Sequence, residues 1–339
     1  MAAWARAVRG LLLDISGVLY DSGGDGGVPI AGSVEAVRRI KASGLKLRFC
    51  TNETQATREN FVKKLQGMGF DISVAEVTAP APAACRILKE RSLRPHLLVH
   101  NDLVPEFAEI DKTNPNCVVI GDAAENFTYA NLNEAFRVLI GMEKPVLISL
   151  GRGRYYKETD GLKLDVGAYM KALEYACDVQ AEVVGKPAKM FFESALAEMG
   201  VPPQQAIMIG DDIVNDVGGA QRCGMRALQV RTGKYRCFLD RKERLDLMGW
   251  INNFAALGSC SSAPQCHPSD CPCLAVGHSA VMQGDSASRG SRRGFCEQPK
   301  SWLMRGLDGA ICPSPSMALA PAKFSKAAHE HVSTAPAAS

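Results

Sequence analysis

Short apolar runs and longer amphipathic stretches alternate between residues 10 and 230. The runs are "GLLL", "LKLRFC", "HLLVH", "NCVVIGD", "PVLISL", "AEVVG", "AIMIGD" and "RALQV". Continuous apolar runs bounded by turn residues mark strands buried on both faces of a parallel sheet. Between them, "SVEAVRRIKASG" places Val34, Val37 and Ile40 at helical spacing, with Ser33 as the expected N-cap and Gly44 as the stop. "TRENFVKKLQGMG" puts Phe61, Leu65 and Met68 on one helical face, and "NLNEAFRVLI" reads as a further helix. This order predicts an α/β fold with a doubly wound parallel sheet. The middle of the chain alternates in the same way and is long enough for a small α/β domain of its own. An insertion is the economical arrangement: residues 1–79 and 181–257 form the core and residues 80–180 the inserted domain.

From Gly258 the texture changes to Ser, Pro, Ala, Cys and Gly, without helical or strand period, which predicts a disordered tail over 258–339. Within it, Cys260, Cys266, His267, Cys271 and Cys273 lack the two separated pairs usual for structural zinc. "GWINNFAALG" is a faint final strand and helix, and the strand after "RALQV" is expected at the sheet edge beside the one ending in Asp211.

Composition narrows the partners. A net charge of +3 in 339 residues, with no long basic block, argues against nucleic acid and for a small-molecule partner. No apolar stretch approaches the roughly 18 residues that span a bilayer, so no membrane association is expected. Of twelve cysteines, several such as Cys50 and Cys117 lie in strand-like runs, which suits a reducing cytosol better than a disulfide framework; the nucleus is a second location to test. His96 and His100 alternate with apolar residues and read as structural.

The candidate chemistry lies at strand ends. Asp14 follows "GLLL", Thr51 and Asn52 follow "LRFC", Lys186 follows "EVVG", and the pair Asp211 and Asp212 follows "IMIG". Taken singly, Asp14 reads equally as a solvated carboxylate and Lys186 as a solvated lysine. Ends of parallel strands share one edge, however, and a carboxylate, a hydroxyl with an amide, a lysine and paired acids make a site for a phosphoryl group with a magnesium ion. "VVIGD" at 118–122 is close to "IMIGD" at 207–211, but only the second is followed by Asp216 and "GGAQRCG". Asp122 is therefore expected as a turn residue.

This constellation resembles the haloacid dehalogenase superfamily of phosphatases, which has a Rossmann-like core, and "CTNETQATRENFVKKLQGMGF" with "VVGKP" resembles its branch with a large inserted cap. The resemblance spans roughly residues 8–236. It implies that Asp14 is the nucleophile and accepts the phosphoryl group as an aspartyl phosphate. It further implies that Asp14, the backbone carbonyl of Ser16 and Asp211 hold Mg2+, with Asp212 and Asp216 steadying the metal's surroundings. Thr51, the backbone of Asn52 and Lys186 would bind the phosphoryl oxygens, and the inserted domain would close over them.

Ser16 departs from that pattern, because most of these phosphatases carry there a second aspartate that protonates the leaving group. A serine cannot do so near neutral pH, so substrates whose leaving groups need little help are expected. Pyrophosphate and phosphoramidates fit, and the resemblance implies phosphorylated histidine and lysine side chains among the latter; simple alkyl phosphates do not. Two alternatives stay open: a capped phosphatase of a small monoester such as a sugar phosphate, and an impaired variant acting as an interaction protein, because the chain diverges after Arg236. "GRGRYYK" at 151–157 reads either as an anion-binding loop or as part of a homodimer face.

Overall fold

The computed structural model describes residues 7–23 and 26–236, with the backbone of 250–251. The chain opens with β1 (Gly10–Leu13), the hairpin of β2 (Tyr20–Asp21) and β3 (Val28–Pro29), α1 (Ser33–Ala42), β4 (Lys46–Cys50), α2 (Arg58–Gly67) and β5 (Val77–Thr78). The middle carries α3 (Pro80–Glu90), β6 (Pro95–Leu98), β7 (Cys117–Ile120), α4 (Tyr129–Ile140), β8 (Leu147–Ser149), the ribbon of β9 (Tyr155–Glu158) and β10 (Gly161–Leu164), α5 (Val166–Cys177) and β11 (Glu182–Val183). Then follow α6 (Lys189–Met199), β12 (Ala206–Gly210), α7 (Gly219–Arg222), β13 (Arg226–Val230) and β14 (Trp250–Ile251).

The first sheet has six parallel strands in the order β14-β13-β12-β1-β4-β5. Its central strand shows why an unbroken apolar run is needed. Leu11 and Leu13 pack on one face with Val37, Phe61 and Leu65 from α1 and α2. Leu12 packs on the other with Phe192, Ala195 and Met208. Each buried leucine stabilises the fold by roughly 1.5–3 kcal/mol. The second sheet, β11-β8-β7-β6, is also parallel and also covered twice. Val119 and Ile148 pack with Ala84 and Leu88 of α3, while Val118 and Ile120 pack with Leu139 of α4 and Met170 of α5.

Three expectations are corrected. Ser33 is not the N-cap of α1: Gly32 holds that position, and the Ser33 hydroxyl instead donates to the Leu19 carbonyl at 2.7 Å, tying the helix to the loop after β1. The strand before Lys186 does not belong to the first sheet; β11 lies past residue 180 yet pairs with β8 of the inserted sheet. A two-residue strand shows no periodicity, so the sequence could not say which sheet it joins. Finally, the strand after "RALQV" is not beside β12, since β13 stands between β12 and β14. The expected tail over 258–339, its cysteine cluster and most of 237–257 lie outside the described residues. Among the described residues, no helix is long and apolar enough to cross a membrane, and Cys50, Cys85, Cys117, Cys177 and Cys223 are free thiols.

Candidate active site

The parallel register of β1 against β12 pairs Leu13 with Ile209, which brings the next polar residues, Asp14 and Asp211, to one edge. The Asp14 N–H donates to the Ile209 carbonyl at 2.9 Å and continues the ladder one step past the strand. A π-helical turn over Ile213–Gly218 then delivers Asp216. That turn is capped by Asp212, whose Oδ1 accepts from the Val214 and Asn215 N–H groups, each at 2.9 Å. Carboxylate oxygens of Asp14, Asp211 and Asp216 come within 4.8 Å of one another. Glycine makes this approach feasible: a Cβ on Gly210 would lie 2.2 Å from Asp216 Oδ2, and one on Gly17, at φ +78°, 2.3 Å from Asp211 Oδ2.

Lys186 reaches the same cluster from the other sheet. Its Nζ lies 2.7 Å from Asp14 Oδ1 and 2.7 Å from Asp216 Oδ1. Asn52, just past β4, holds it there with its side chain, accepting from the Lys186 N–H at 2.8 Å and donating to the Lys186 carbonyl at 2.9 Å. On the inserted side, Gly185 lets the chain pass the Leu150 carbonyl, where a Cβ would sit 2.1 Å away. Thr51 is buried next to Asn52, and its Oγ1 accepts from the Glu53 N–H at 3.0 Å. The sequence-predicted residues Asp14, Ser16, Thr51, Asn52, Lys186, Asp211, Asp212 and Asp216 therefore line one cleft of about 200 Å³. The Ser16 hydroxyl is 3.4 Å from the Tyr20 hydroxyl, and it supplies no acid.

The electrostatics of the cluster are unbalanced. Burial, reinforced by Asp14 and opposed by Lys234, pushes the Asp211 carboxyl up to about 7. Burial and then the Asp14 charge hold Asp216 well above the usual carboxylate range. Burial alone would lower the Lys186 ammonium, but Asp14 and Asp216 reverse this and raise it. Asp211 Oδ2 accepts from the Lys234 N–H at 2.8 Å, whereas Oδ1 is buried with no hydrogen-bond partner among the described residues. Crowded hard oxygens with one orphaned atom fit a small divalent cation.

Sequence reasoning missed several residues that line the cleft, Gln55, Asp165 and Lys234 among them. Lys234 has its Nζ 3.0 Å from Asp212 Oδ2; the available signal was "RTGK" directly after β13, at the same sheet edge. From the inserted domain come Asp122, Tyr156 and Asp165. Gln55 joins the two sides, with its Nε2 2.8 Å from Asp122 Oδ2 and 3.3 Å from the Tyr156 hydroxyl. Asp122 is a turn residue, accepting from the Ala124 N–H at 3.1 Å, and also lines the cleft. His100 caps its own turn, its Nδ1 accepting from the Asp102 N–H at 3.2 Å. "GRGRYYK" divides: Tyr156 and Lys157 line the cleft, while Arg152 and Arg154 line a second one of about 730 Å³.

A family model described as haloacid dehalogenase-like hydrolase matches residues 11–113, and a HAD-hydrolase-like model matches residues 183–245. The phospholysine phosphohistidine inorganic pyrophosphate phosphatase of Xenopus laevis is 68% identical over 256 residues, covering 75% of this chain and 95% of that protein. This chain belongs to the haloacid dehalogenase-like hydrolases. The Homo sapiens protein of the same name is 65% identical over 258 residues, covering 75% of this chain and 96% of its own. Among solved structures, a 4-nitrophenylphosphatase from Thermotoga maritima superposes with a TM-score of 0.66 at 23% identity, covering 75% of this chain and 97% of that one. NagD from E. coli K-12 superposes at 0.62 and 19% identity, covering 73% and 97%. These likenesses concern the fold: a haloacid dehalogenase-like core with an inserted cap. The chain is accordingly an enzyme of the hydrolase class, and the named relatives are phosphatases.

Proposed function

We propose that this enzyme is a Mg2+-dependent phosphohydrolase that cleaves the P–N bonds of phosphohistidine and phospholysine and the P–O–P bond of inorganic pyrophosphate. The observation that carries the reading is the Lys186 ammonium, fixed 2.7 Å from both Asp14 and Asp216 beside the orphaned oxygen of Asp211. The names of the 65–68% identical relatives supply the substrate classes.

Asp14 is the nucleophile. One of its carboxylate oxygens forms a bond to phosphorus while the P–N or P–O bond breaks, and water later hydrolyses the aspartyl phosphate. Lys186 holds Asp14 in place and offsets the charge of the incoming phosphoryl group, with Thr51 and the Asn52 backbone as donors to its oxygens. Asp14, Asp211 and the Ser16 carbonyl are the candidate ligands of the cation, with Asp212 and Asp216 beside them. The cation would neutralise charge on the phosphoryl oxygens. A cytosolic and nuclear location and a homodimer belong to the same reading.

The test is phosphate release from pyrophosphate, a phosphohistidine mimic and a sugar phosphate, with and without Mg2+. Release from the first two that requires the cation is expected; release from the sugar phosphate alone would replace this reading with that of a monoester phosphatase.

A further inference from the structure

Ser16 supplies no acid beside Asp14, and among the carboxyls that line the cleft Asp122 is one that the cap carries. We propose that Asp122, carried by the inserted domain and lining the same cleft as the nucleophile Asp14, is the residue that meets the leaving group of the substrate. The proposal rests on the reading of the site as a P–N and P–O–P hydrolase and deepens it.

Position comes first. Asp122 follows β7 of the inserted sheet and lines the same 200 Å³ cleft as Asp14, Ser16 and Lys186. It is buried, at 8% exposure, and is held on both sides. Its N–H donates to Thr54 Oγ1 at 2.9 Å and its Oδ2 accepts from Gln55 Nε2 at 2.8 Å. Thr54 and Gln55 belong to the loop that begins at Thr51 and Asn52, and Asn52 grips Lys186. Five consecutive residues of the loop between β4 and α2, Thr51 to Gln55, therefore fix both the phosphoryl-binding side and the carboxyl of the cap. A carboxyl that served only the turn would need just the Ala124 N–H bond, and would gain nothing from facing the cleft.

The chemistry follows from the two leaving groups. With phosphohistidine, Asp14 forms the new P–O bond, the P–N bond breaks and its electron pair stays on the ring nitrogen. The substrate reacts in its ring-protonated form, so the proton on the other ring nitrogen remains where it was and neutral imidazole departs, and ionised Asp122 accepts a hydrogen bond from that N–H. With pyrophosphate, the bridging oxygen takes the electron pair, and protonated Asp122 donates its proton to it. Burial, with Asp165 and Glu53 adding to it and Gln55 opposing, pushes the Asp122 carboxyl up to about 6, so both forms are present near neutral pH.

The test compares wild type with Asp122→Asn, as full chains with Mg2+, on phosphohistidine, pyrophosphate and 4-nitrophenyl phosphate, whose leaving group departs without a proton. The expected result is a fall in kcat/KM of roughly 10- to 100-fold on the first two substrates, with 4-nitrophenyl phosphate and inhibition by orthophosphate unchanged. Asp122→Ser, which keeps a hydrogen-bonding group at the turn, carries the same expectation if the Asn variant misfolds. An equal fall on all three substrates, or no fall on any, overturns the role of Asp122 while leaving the substrate reading intact. A wild type inactive on both phosphohistidine and pyrophosphate overturns the substrate reading and this role with it.

Discussion

Two strands of this molecule end almost alike, β12 in "IMIGD" and β7 in "VVIGD", and their last residues face the same cleft in different circumstances. At the end of β12, Gly210 is crowded by Asp216, and Asp211 stands among acids with one oxygen unbonded. At the end of β7, Gly121 meets the side chains of Leu150 and Thr54, and Asp122 has its oxygens bonded by Gln55 and the Ala124 N–H. Local sequence makes both of them buried strand ends with a carboxylate. The neighbouring strand decides the rest: β1 brings Asp14 beside Asp211, while β8 ends in Ser149 and brings no acid beside Asp122.

The largest effect expected from breaking this contrast is at Asp14. Asp14→Asn should fold, by circular dichroism, and turn over pyrophosphate at less than roughly a thousandth of the wild-type rate, because an amide cannot form the phosphoenzyme. Next, Asp211→Asn should raise the Mg2+ concentration for half-maximal activity at least roughly 100-fold, whereas Asp122→Asn should leave it unchanged. A Mg2+ titration of both variants checks this.

The glycines sharpen the comparison. Gly210→Ala places a methyl 2.2 Å from Asp216 Oδ2, whereas Gly121→Ala meets Leu150 Cδ1 at 3.0 Å and Thr54 Cβ at 3.3 Å, and the leucine terminus can shift. Urea unfolding should show Gly210→Ala to be less stable than Gly121→Ala by about 2 kcal/mol. The smallest effect is on the pH dependence of stability. The folded Asp122 carboxyl lies at about 6 against an ordinary 3.8. The folded state therefore binds its proton more tightly than the unfolded state. The stability this contributes is full below 3.8 and is lost as pH rises through about 6. Relative to Asp122→Asn, the wild type should lose a few degrees of Tm across that window.

Much of this arrangement is legible in the sequence where a buried run ends on a polar residue. Asp14, Thr51 and Asp211 are of that kind, since a strand covered on both faces must surface at its end. Lys186 is legible as a residue but not as to its sheet, because both sheets are parallel and doubly covered and the "EV" strand is too short to carry a pattern. Gln55 and Lys234 act through contacts across the fold, such as the bond of Gln55 to Asp122 67 residues on, which no local period encodes. The α1 cap is not legible because a serine before a helical run satisfies the capping rule locally, while the Leu19 carbonyl that claims its hydroxyl is 14 residues upstream.

The central claim, that Asp14 is the nucleophile of the acid cluster, is tested most directly by trapping the phosphoenzyme. The enzyme with Mg2+ is mixed with radiolabelled pyrophosphate, quenched in acid and digested, and the labelled peptide is identified. Label on the peptide bearing Asp14, absent from Asp14→Asn, is the predicted result. Label on Asp211, on Asp122 or on a histidine, or label retained in Asp14→Asn, would contradict it.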